Sequence, residues 1–329
     1  MESTTSDGEL YNDNQSSIVD AVIVGAGPAG LSAAHFLARA GLDPIVFDGG
    51  PSRIMVVDKV REFIGYDGMS PKAMLEKMRD EALRYGARIQ SNKVERIVQR
   101  EDGFFDVSTA LGTLTARAVV LATGLVDDLP KISGLSKVWG NDLRVCPCFD
   151  GYEVRNQRFV AFGIPERLPH FGAWVSGWSP NVTVITPSDL DPKGLENLHL
   201  LGISVIRDEV TGVVHRNNKL VGVTTKEGAE IPCDAAWIAM GWKARSHLPA
   251  SLCEVDANGL AKVDMATGKT SRPGVFAVGN VSNPIGHLAH ATAEGTNVGP
   301  HVTDYLLGLR LRKLETQSHR SLHLQTEES

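Results

Sequence analysis

The stretch that decides the fold is IVDAVIVGAGPAG, residues 18–30. Its apolar first half, Ile18–Val24, predicts a buried strand, and the residues that follow the glycines, Leu31–Ala40, predict a helix. A second short strand, Pro44–Phe47, comes next and ends at Asp48. Strand, glycine turn, helix, strand and acid in this order are typical of a βαβ unit that binds a dinucleotide.

The three glycines of this stretch have separate tasks. Gly25 permits the tight turn after the strand, Gly27 lets the backbone approach a pyrophosphate, and Gly30 allows helix and strand to pack closely. The helix start offers the phosphates free N–H groups and the positive end of its dipole. Asp48 lies at the spacing expected for an acid that binds a ribose hydroxyl. The predicted nucleotide contacts are therefore Gly25, Gly27, Pro28, Ala29, Gly30 and Asp48.

The composition is that of an ordinary globular protein. Of the 329 residues, 42% are hydrophobic and 22% are charged, which suits two domains that each bury a core. A net charge of −6 argues against a nucleic acid partner, and no run of about 18 apolar residues predicts a membrane span. The polar ends predict a disordered leader (residues 1–17) and a flexible tail (residues 313–329). The leader does not resemble a signal peptide, which together with only four cysteines favours the cytoplasm.

Periodicity and apolar runs predict the remaining elements. A helix is expected over Ser70–Tyr85, a small antiparallel sheet after it, and a final helix from about Ala289. The predicted strands are Lys93–Val98, Phe104–Ser108, Gly112–Ala116, Ala118–Ala122, Phe159–Phe162, Val182–Ile185, Ile238–Gly241 and Val275–Val278.

Two segments distinguish FAD from NAD as the nucleotide. One is the strand Ala118–Ala122 with Thr123-Gly124 after it, and the other is TSRPGVFAVGN, residues 270–280. On these segments and the first glycine loop, the chain resembles the thioredoxin-reductase-like family of two-domain FAD enzymes, from about Ile18 to Leu307. The resemblance implies FAD as cofactor, with contacts from Thr123, Gly124, Gly279, Asn280, Ala291 and Thr292.

The same resemblance implies an α/β fold with two Rossmann-like nucleotide-binding domains, and a homodimer. The FAD domain is expected to be discontinuous (residues 18–125 and 245–312), and a degenerate NADPH-type domain with the cysteine motif is inserted at residues 126–244. Where the family usually has Gly-Asp beside the ribityl–phosphate part of the flavin, this chain has Gly279-Asn280. The amide of Asn280 keeps the capacity to hydrogen-bond and removes one negative charge. The helix start at Ala291 and Thr292 is expected to direct N–H groups at the flavin pyrimidine edge.

The second nucleotide loop departs from the pattern of an NADPH site. It reads GIPERLPH, residues 163–170, with one glycine where a fingerprint needs two or three, and with two prolines. The next strand is followed by TPSD, residues 186–189, which has no arginine cluster for a 2′-phosphate, and Arg167 is interpreted as a surface charge. We therefore expect no NADPH binding. The resemblance narrows to the fungal gliotoxin-oxidase-like and holomycin-oxidase-like branch, which oxidises small dithiols and passes electrons through a cysteine pair and FAD to oxygen.

The cysteine motif is also altered. It reads CPCFDGYE, residues 146–153, where the family carries Cys-x-x-Cys-Asp-Gly. The first cysteine falls on Cys146, but the flavin-proximal position falls on Phe149 and the second thiol is at Cys148. A disulfide across Cys-Pro-Cys closes a small, strained ring that is expected to be easily reduced, or Cys148 reaches the flavin through a one-residue shift of the helix start. Otherwise the thiol relay is lost and Phe149 packs on the isoalloxazine.

Three further side chains are candidates for acid–base chemistry. Asp150 is placed either to exchange protons with a departing thiolate or to cap the helix. His287 and His290, just before the final helix, are candidate bases or hydrogen-bonding residues. Their His-x-x-His spacing also suits a metal, but the sequence shows no third ligand, so no metal is predicted. Cys233 and Cys253 are interpreted as structural.

These features predict an FAD-dependent oxidase that forms a disulfide in a small-molecule dithiol of the diketopiperazine type. Cys146 and Cys148 would be the thiol relay and O2 the final acceptor. Two alternatives remain open, an NADPH-dependent disulfide reductase and a flavin-holding protein that binds a metabolite without a thiol relay.

Overall fold

The computed structural model describes residues 18–144, 146–217 and 219–327, with side chains described as far as residue 318. The expected leader, residues 1–17, lies outside the described residues. The helices are α1 Pro28–Arg39, α2 Pro71–Arg84, α3 Pro147–Asp150, α4 Leu168–Val175, α5 Pro192–Leu200, α6 Leu248–Leu252 and α7 Leu288–Glu327. The strands are β1 Val19–Val24, β2 Pro44–Phe47, β3 Arg88–Gln90, β4 Val94–Gln99, β5 Phe105–Thr109, β6 Gly112–Leu121, β7 Leu125–Asp128, β8 Leu143–Arg144, β9 Phe159–Gly163, β10 Val182–Thr186, β11 Ser204–Arg207, β12 Val210–Arg216, β13 Lys219–Thr225, β14 Glu230–Pro232, β15 Ala235–Ala239, β16 Gly241–Ala244 and β17 Val275–Ala277.

Two mainly parallel sheets form the centre of the molecule. The first has the order β3-β2-β1-β6-β5-β4, and β17 also pairs with β6. The second has the order β11-β10-β9-β15-β8, and all its pairs are parallel. Between them, β7 and β16 pair antiparallel at the two places where the chain passes from one sheet to the other. The predicted α/β fold with two Rossmann-like units is therefore confirmed.

The local predictions hold for most elements, with corrections at their ends. Helix α1 begins at Pro28 rather than Leu31, because proline fits the first helical turn, where its missing N–H is not needed. The final helix runs to Glu327, so residues 313–327 are helical where a tail is expected. The strand expected over Ile238–Gly241 is divided: β15 ends at Ala239, and Gly241 begins β16.

The largest correction concerns β6. The sequence predicts two strands, Gly112–Ala116 and Ala118–Ala122, but the structure has one continuous strand of 10 residues. Its first half pairs antiparallel with β5, and its second half lies between the parallel strands β1 and β17. The change of partner explains why the burial pattern changes from exposed to fully buried along a single strand.

Helix α7 packs directly on α1 because glycines face the contact. A Cβ added to Gly295 would meet the carbonyl oxygen of Ala29, and one added to Gly299 would overlap the ring of Phe36. Both helices contribute to the same buried cluster, which covers one face of the first sheet. No helix in the described ranges is long and apolar enough to cross a membrane.

The α1–α7 contact generates a stability prediction. Replacing Gly299 with Ala should destabilise the protein by about 1–3 kcal/mol, because the new methyl group has to displace the Phe36 ring in a packed core. The matched control is Gly308→Ala in the same helix, where the nearest atom, Nη1 of Arg312, is 3.6 Å from the added Cβ. Alanine is a better helix former, so this control should be neutral or stabilising by up to about 1 kcal/mol. Thermal unfolding followed by circular dichroism measures both; equal midpoints would contradict the packing argument.

Candidate functional site

A cleft of about 310 Å³ opens at the carboxyl ends of β1 and β6. The glycine turn after β1 forms one wall, and the segments after β6 and β17 form the others. Nine of the twelve predicted cofactor contacts line it, namely Gly25, Gly27, Pro28, Ala29, Thr123, Gly124, Gly279, Asn280 and Ala291. The first glycine loop and residues 279–291, far apart in the sequence, thus meet at one place.

The cleft fits a dinucleotide on several grounds. Gly25 and Gly279 have φ values of 113° and 74°, which side chains with a Cβ rarely adopt. The hydroxyl of Thr123 is buried without a hydrogen-bond partner among the described residues, as expected for a group that serves a ligand. The start of α1 supplies backbone N–H groups and a positive dipole end for phosphates.

Basic side chains that the sequence analysis missed also line the cleft. These are Arg53, Lys93 and Arg245. Arg53 is held by a two-bond contact with Asp127 of β7, and Arg245 donates a hydrogen bond to the carbonyl of Pro51 at 3.0 Å. Only the folded chain brings them to the phosphate-binding loop, so no local motif could reveal them. Their charge complements a pyrophosphate.

Three predicted contacts are not among the residues that line the cleft in the described part of the chain. Asp48 follows β2 as expected, but its carboxylate accepts a hydrogen bond from Arg79 of α2. Gly30 lies behind the glycine turn, where an added Cβ would meet the carbonyl oxygen of Gly25, so its task is packing. The hydroxyl of Thr292 donates to carbonyls of its own helix, Leu288 and Ala289.

The cysteine motif is folded around α3. Cys146 precedes the helix and is joined to Cys148 by a disulfide, with a Cα–Cα separation of 5.3 Å. Phe149 lines a mostly apolar space of about 110 Å³ that shares Pro28, Ser52, Arg53, Asn280 and Ala291 with the larger cleft. The two cysteines are not among its lining residues in the described chain, so Phe149 occupies the position that faces this space. The shared residues place this space next to the larger cleft.

Asp150 is not a helix cap. It is the last residue of α3, and its carboxylate lies 3.1 Å from Nη1 of Arg144, with both side chains about 15% exposed or less. Burial raises the pKa of Asp150, and the guanidinium of Arg144 opposes that rise. Burial outweighs the ion pair, so the pKa of Asp150 lies above its ordinary value, while Arg144 holds the carboxylate in place.

His287 lies at the junction of the cysteine motif and the final helix. Its ring stacks on Phe149, with centroids 5.8 Å apart, and its Nδ1 is 3.0 Å from Oε2 of Glu62. His290 lies inside the first turn of α7 rather than before it, and its Nδ1 accepts a hydrogen bond from the backbone N–H of His287 at 3.3 Å.

A different group of possible ligands surrounds His287, and His290 is not part of it. Ligand atoms of Glu62, Cys148 and His287 all lie within 4.8 Å of one another. In this structure the sulfur of Cys148 is engaged in the disulfide, so it offers no thiolate to a metal. The juxtaposition instead places a carboxylate–imidazole pair beside the sulfur of Cys148.

Asn280 fixes the loop that ends at His287. Its side-chain N–H groups donate to the carbonyls of Asn283 at 2.8 Å and Gly286 at 3.2 Å. A carboxylate at this position has no hydrogen to donate and would face two carbonyl oxygens. Glu294 of α7 holds the other side of the loop, since it accepts from the backbone of Gly279 and from the side chain of Asn283.

The second nucleotide loop differs from a glycine-rich phosphate loop in the structure as well. After β9 the chain forms a single 3₁₀ turn, Pro165–Arg167, instead of a glycine-rich turn. Arg167 donates to the carbonyl of Met240 at 2.6 Å, and its guanidinium lies 4.4 Å from the ring centroid of Trp242. Arg167 is exposed, as expected for a surface charge, and it also fastens the turn to the strand region after β15.

The two remaining cysteines are free thiols. Cys233 is fully buried, and burial raises the pKa of its thiol to about 12. Cys253 is half-buried, and its sulfur contacts the carbonyl oxygen of Pro249 at 3.4 Å. Neither takes part in the site, in line with a structural role.

Known thioredoxin reductases resemble this chain over most of its length. The enzyme of Mycolicibacterium smegmatis is 29% identical over 279 residues, which cover 80% of this chain and 88% of that one. A bifunctional thioredoxin reductase/thioredoxin of Mycobacterium leprae is 28% identical over 280 residues, and this chain spans only 60% of its length.

Solved structures are also similar to this chain over most of its length. The crystal structure of HlmI superposes with a TM-score of 0.89 and 30% identity, covering 96% of this chain and all of the other. A putative thioredoxin reductase TrxB from Bacillus anthracis gives 0.83 and 25%, covering 89% and 99%.

The profile of the family described as "Pyridine nucleotide-disulphide oxidoreductase" matches residues 19–163 and 184–295. The unmatched residues between them, 164–183, include the altered turn and α4. More than half of the chain is matched, and the residues of the cleft fit the cofactor. This chain belongs to the pyridine nucleotide-disulphide oxidoreductase family, and its cofactor is FAD.

Proposed function

We propose that this flavoprotein is an oxidase that converts a small-molecule dithiol into a disulfide and uses O2 as the final acceptor. The observation that carries the proposal is the Cys146–Cys148 disulfide beside the apolar space that adjoins the FAD cleft. The net reaction balances as dithiol plus O2 giving disulfide plus hydrogen peroxide. FAD, when bound, supplies the two-electron acceptor between thiols and oxygen.

The cysteine pair performs the first half of this reaction. A substrate thiolate attacks a sulfur of the enzyme disulfide, forms a mixed disulfide and releases the other cysteine as a thiolate. The second substrate thiol then attacks its own mixed disulfide, which closes the product disulfide and releases the remaining enzyme thiolate. Two electrons and two protons leave the substrate, and the enzyme pair is reduced.

The second nucleotide loop supports oxygen rather than NADPH as the redox partner. The turn Pro165–Arg167 carries two features that oppose a dinucleotide: it lacks a run of glycines, and Arg167 is committed to Met240 and Trp242. Arg207, the last residue of β11, is paired with Asp189 at 3.0 Å. The family profile leaves residues 164–183 unmatched, and these include the turn Pro165–Arg167. The high structural likeness to HlmI gives additional, weaker support for the oxidase branch.

The lining of the smaller space favours a substrate with apolar surface. Ile54, Val56, Val57 and Leu288 contribute to it together with the Phe149 ring. Ile64 and Ile285, close in sequence to Glu62 and His287, are 98% and 75% exposed. A compact dithiol of the diketopiperazine type suits such surroundings. A homodimer located in the cytoplasm remains part of this proposal.

A second candidate function is an NADPH-dependent disulfide reductase. The curated relatives named above favour it, because they are thioredoxin reductases. It requires the second loop to open and Arg167 to leave Met240. The two functions differ in what reduces the flavin.

Anaerobic flavin absorbance distinguishes them. Adding dithiothreitol or a small diketopiperazine dithiol to the purified holoprotein should bleach the flavin, and admitting air should restore the colour with one peroxide formed per flavin. NADPH alone should cause no change, because the second loop offers it no binding site. Rapid bleaching by NADPH would replace the oxidase proposal with the reductase, and no bleaching by either would favour a flavin-holding protein.

Separate cysteine variants test the relay. Cys146→Ser and Cys148→Ser should each reduce dithiol turnover to the background rate, because either change removes the disulfide that the substrate attacks. The matched control is Cys253→Ser, a free and half-buried thiol outside the site, which should keep full turnover. FAD content, read from the absorbance spectrum, should be the same in all three. Undiminished turnover in both site variants would rule out the relay.

A further inference from the structure

The oxidation of a dithiol through a disulfide requires a base, because the thiolate and not the thiol is the attacking species. Two groups near the cysteine motif qualify by residue type, Asp150 and His287. They differ sharply in their surroundings. Asp150 is committed to Arg144 in a largely buried pair, whereas His287 faces the cysteine sulfur across the edge of the apolar space.

No sequence motif indicated that Glu62 belongs to this site. It lies 225 positions before His287 in the chain, on the loop between β2 and α2, and its carboxylate is 3.0 Å from Nδ1 of the imidazole. Glu62 has a φ of 55°, a left-handed conformation that is unfavourable for a residue with a side chain. The fold therefore maintains an unfavourable backbone conformation at the residue that holds His287.

The contact favours one nitrogen of His287 as the base. The carboxylate of Glu62 lies 3.0 Å from Nδ1 and can only accept a hydrogen bond, so it favours the tautomer with the proton on Nδ1 and the lone pair on Nε2. The stacked ring of Phe149 restricts the imidazole plane from one side. The backbone of His287 is fixed through His290 and through the loop that Asn280 holds. Tautomer, plane and backbone are thus all set by described residues.

We propose that His287 is the base for thiol–disulfide exchange at Cys148 and that Glu62 is its positioning residue. The inference rests on the proposed function and deepens it. As a substrate thiol approaches, its proton passes to Nε2 of His287 and its sulfur forms a bond with Sγ of Cys148. The Cys146–Cys148 bond breaks, and its electron pair leaves on Cys146. Glu62 stabilises the imidazolium that forms in this step.

The other charged groups around His287 are already paired or lie on its own helix. Arg53 and Asp150 border the same apolar space, and each has a partner, Asp127 and Arg144 respectively. His290 is the remaining titratable neighbour on α7. Glu62 is therefore the group placed to respond to a positive charge on the imidazole.

The test uses full-length holoprotein and dithiothreitol as the probe. The reduction of the Cys146–Cys148 disulfide is measured by acid quench, alkylation and mass spectrometry, a readout that does not depend on the flavin absorbance. Flavin bleaching is recorded in parallel. His287→Gln should slow disulfide reduction by about 100-fold or more near neutral pH, and Glu62→Gln by about tenfold. Asp67→Asn, an exposed acid on the same loop, is the matched control and should leave the rate unchanged.

The pH dependence separates a base from a structural residue. Above the pKa of the dithiothreitol thiols, the attacking thiolate is present without help, so wild type and both variants should converge. A merely structural defect would persist at every pH. Glu62→Asp is a second variant, for the case that Glu62→Gln folds poorly. It retains the carboxylate, so its rate of disulfide reduction should lie between those of Glu62→Gln and wild type.

The outcomes also separate this inference from the proposed function. If wild-type disulfide reduction depends on His287 and Glu62 but the flavin never bleaches, the base assignment stands and the oxidase is wrong. If the flavin bleaches normally and the variants match wild type at all pH values, the oxidase stands and the base assignment is overturned.

Discussion

The direct contact between α7 and α1 is the constraint on which the rest of the structure depends. Glycines at positions 295 and 299 let the two helices approach without intervening side chains, and Gly279 lies against Ala29 at the entrance to the same region. This contact brings residues 279–291 to the first glycine loop. Without it, the cleft would lack the wall formed by Gly279, Asn280 and Ala291, and His287 would be far from the cysteine motif.

A second constraint links the cofactor cleft to His287. The replacement of the family's usual Gly-Asp by Gly279-Asn280 was interpreted from the sequence as a change of charge near the flavin. In the structure the amide of Asn280 donates to two carbonyls of the loop that leads to His287. An aspartate would lose both bonds and repel both oxygens. The substitution therefore concerns the position of His287 at least as much as the electrostatics of the pyrophosphate site.

The fold could be predicted from the sequence because its signals are local. An apolar strand, a glycine turn and a helix with proline in its first turn are read within about 20 residues. The second Rossmann-like unit keeps the apolar strand and the helix with proline in its first turn, but has a 3₁₀ turn between them. The strand β6 shows the limit, since its single continuous ladder depends on which neighbours flank each half. Nothing in residues 112–121 specifies a change of partner.

The site could be predicted only in part, for the same reason. The glycine loops, Phe149 and His287 were found because motif spacing marks them. Ion pairs between distant segments could not be found in this way. Two of them engage acids that the motifs had marked, since Asp48 is held by Arg79 and Asp150 by Arg144. Glu62 was missed entirely, since its partner is far away in the sequence.

The exchange of cysteine and phenylalanine in the motif affects the two halves of the proposed reaction differently. These halves are thiol–disulfide exchange with the substrate and electron transfer from the cysteine pair to the flavin. Phe149 borders the apolar space and neither cysteine is among its lining residues in the described chain, so contact between the cysteines and a flavin ring is not built into this conformation. Transfer from the reduced pair therefore needs a movement of α3 or direct approach of the substrate sulfur. Thiol–disulfide exchange has no such requirement, because His287, Glu62 and Cys148 already lie together. A base at this position serves a thiol whether it belongs to Cys148 or to a bound dithiol, so the acid–base arrangement is independent of which route the electrons take.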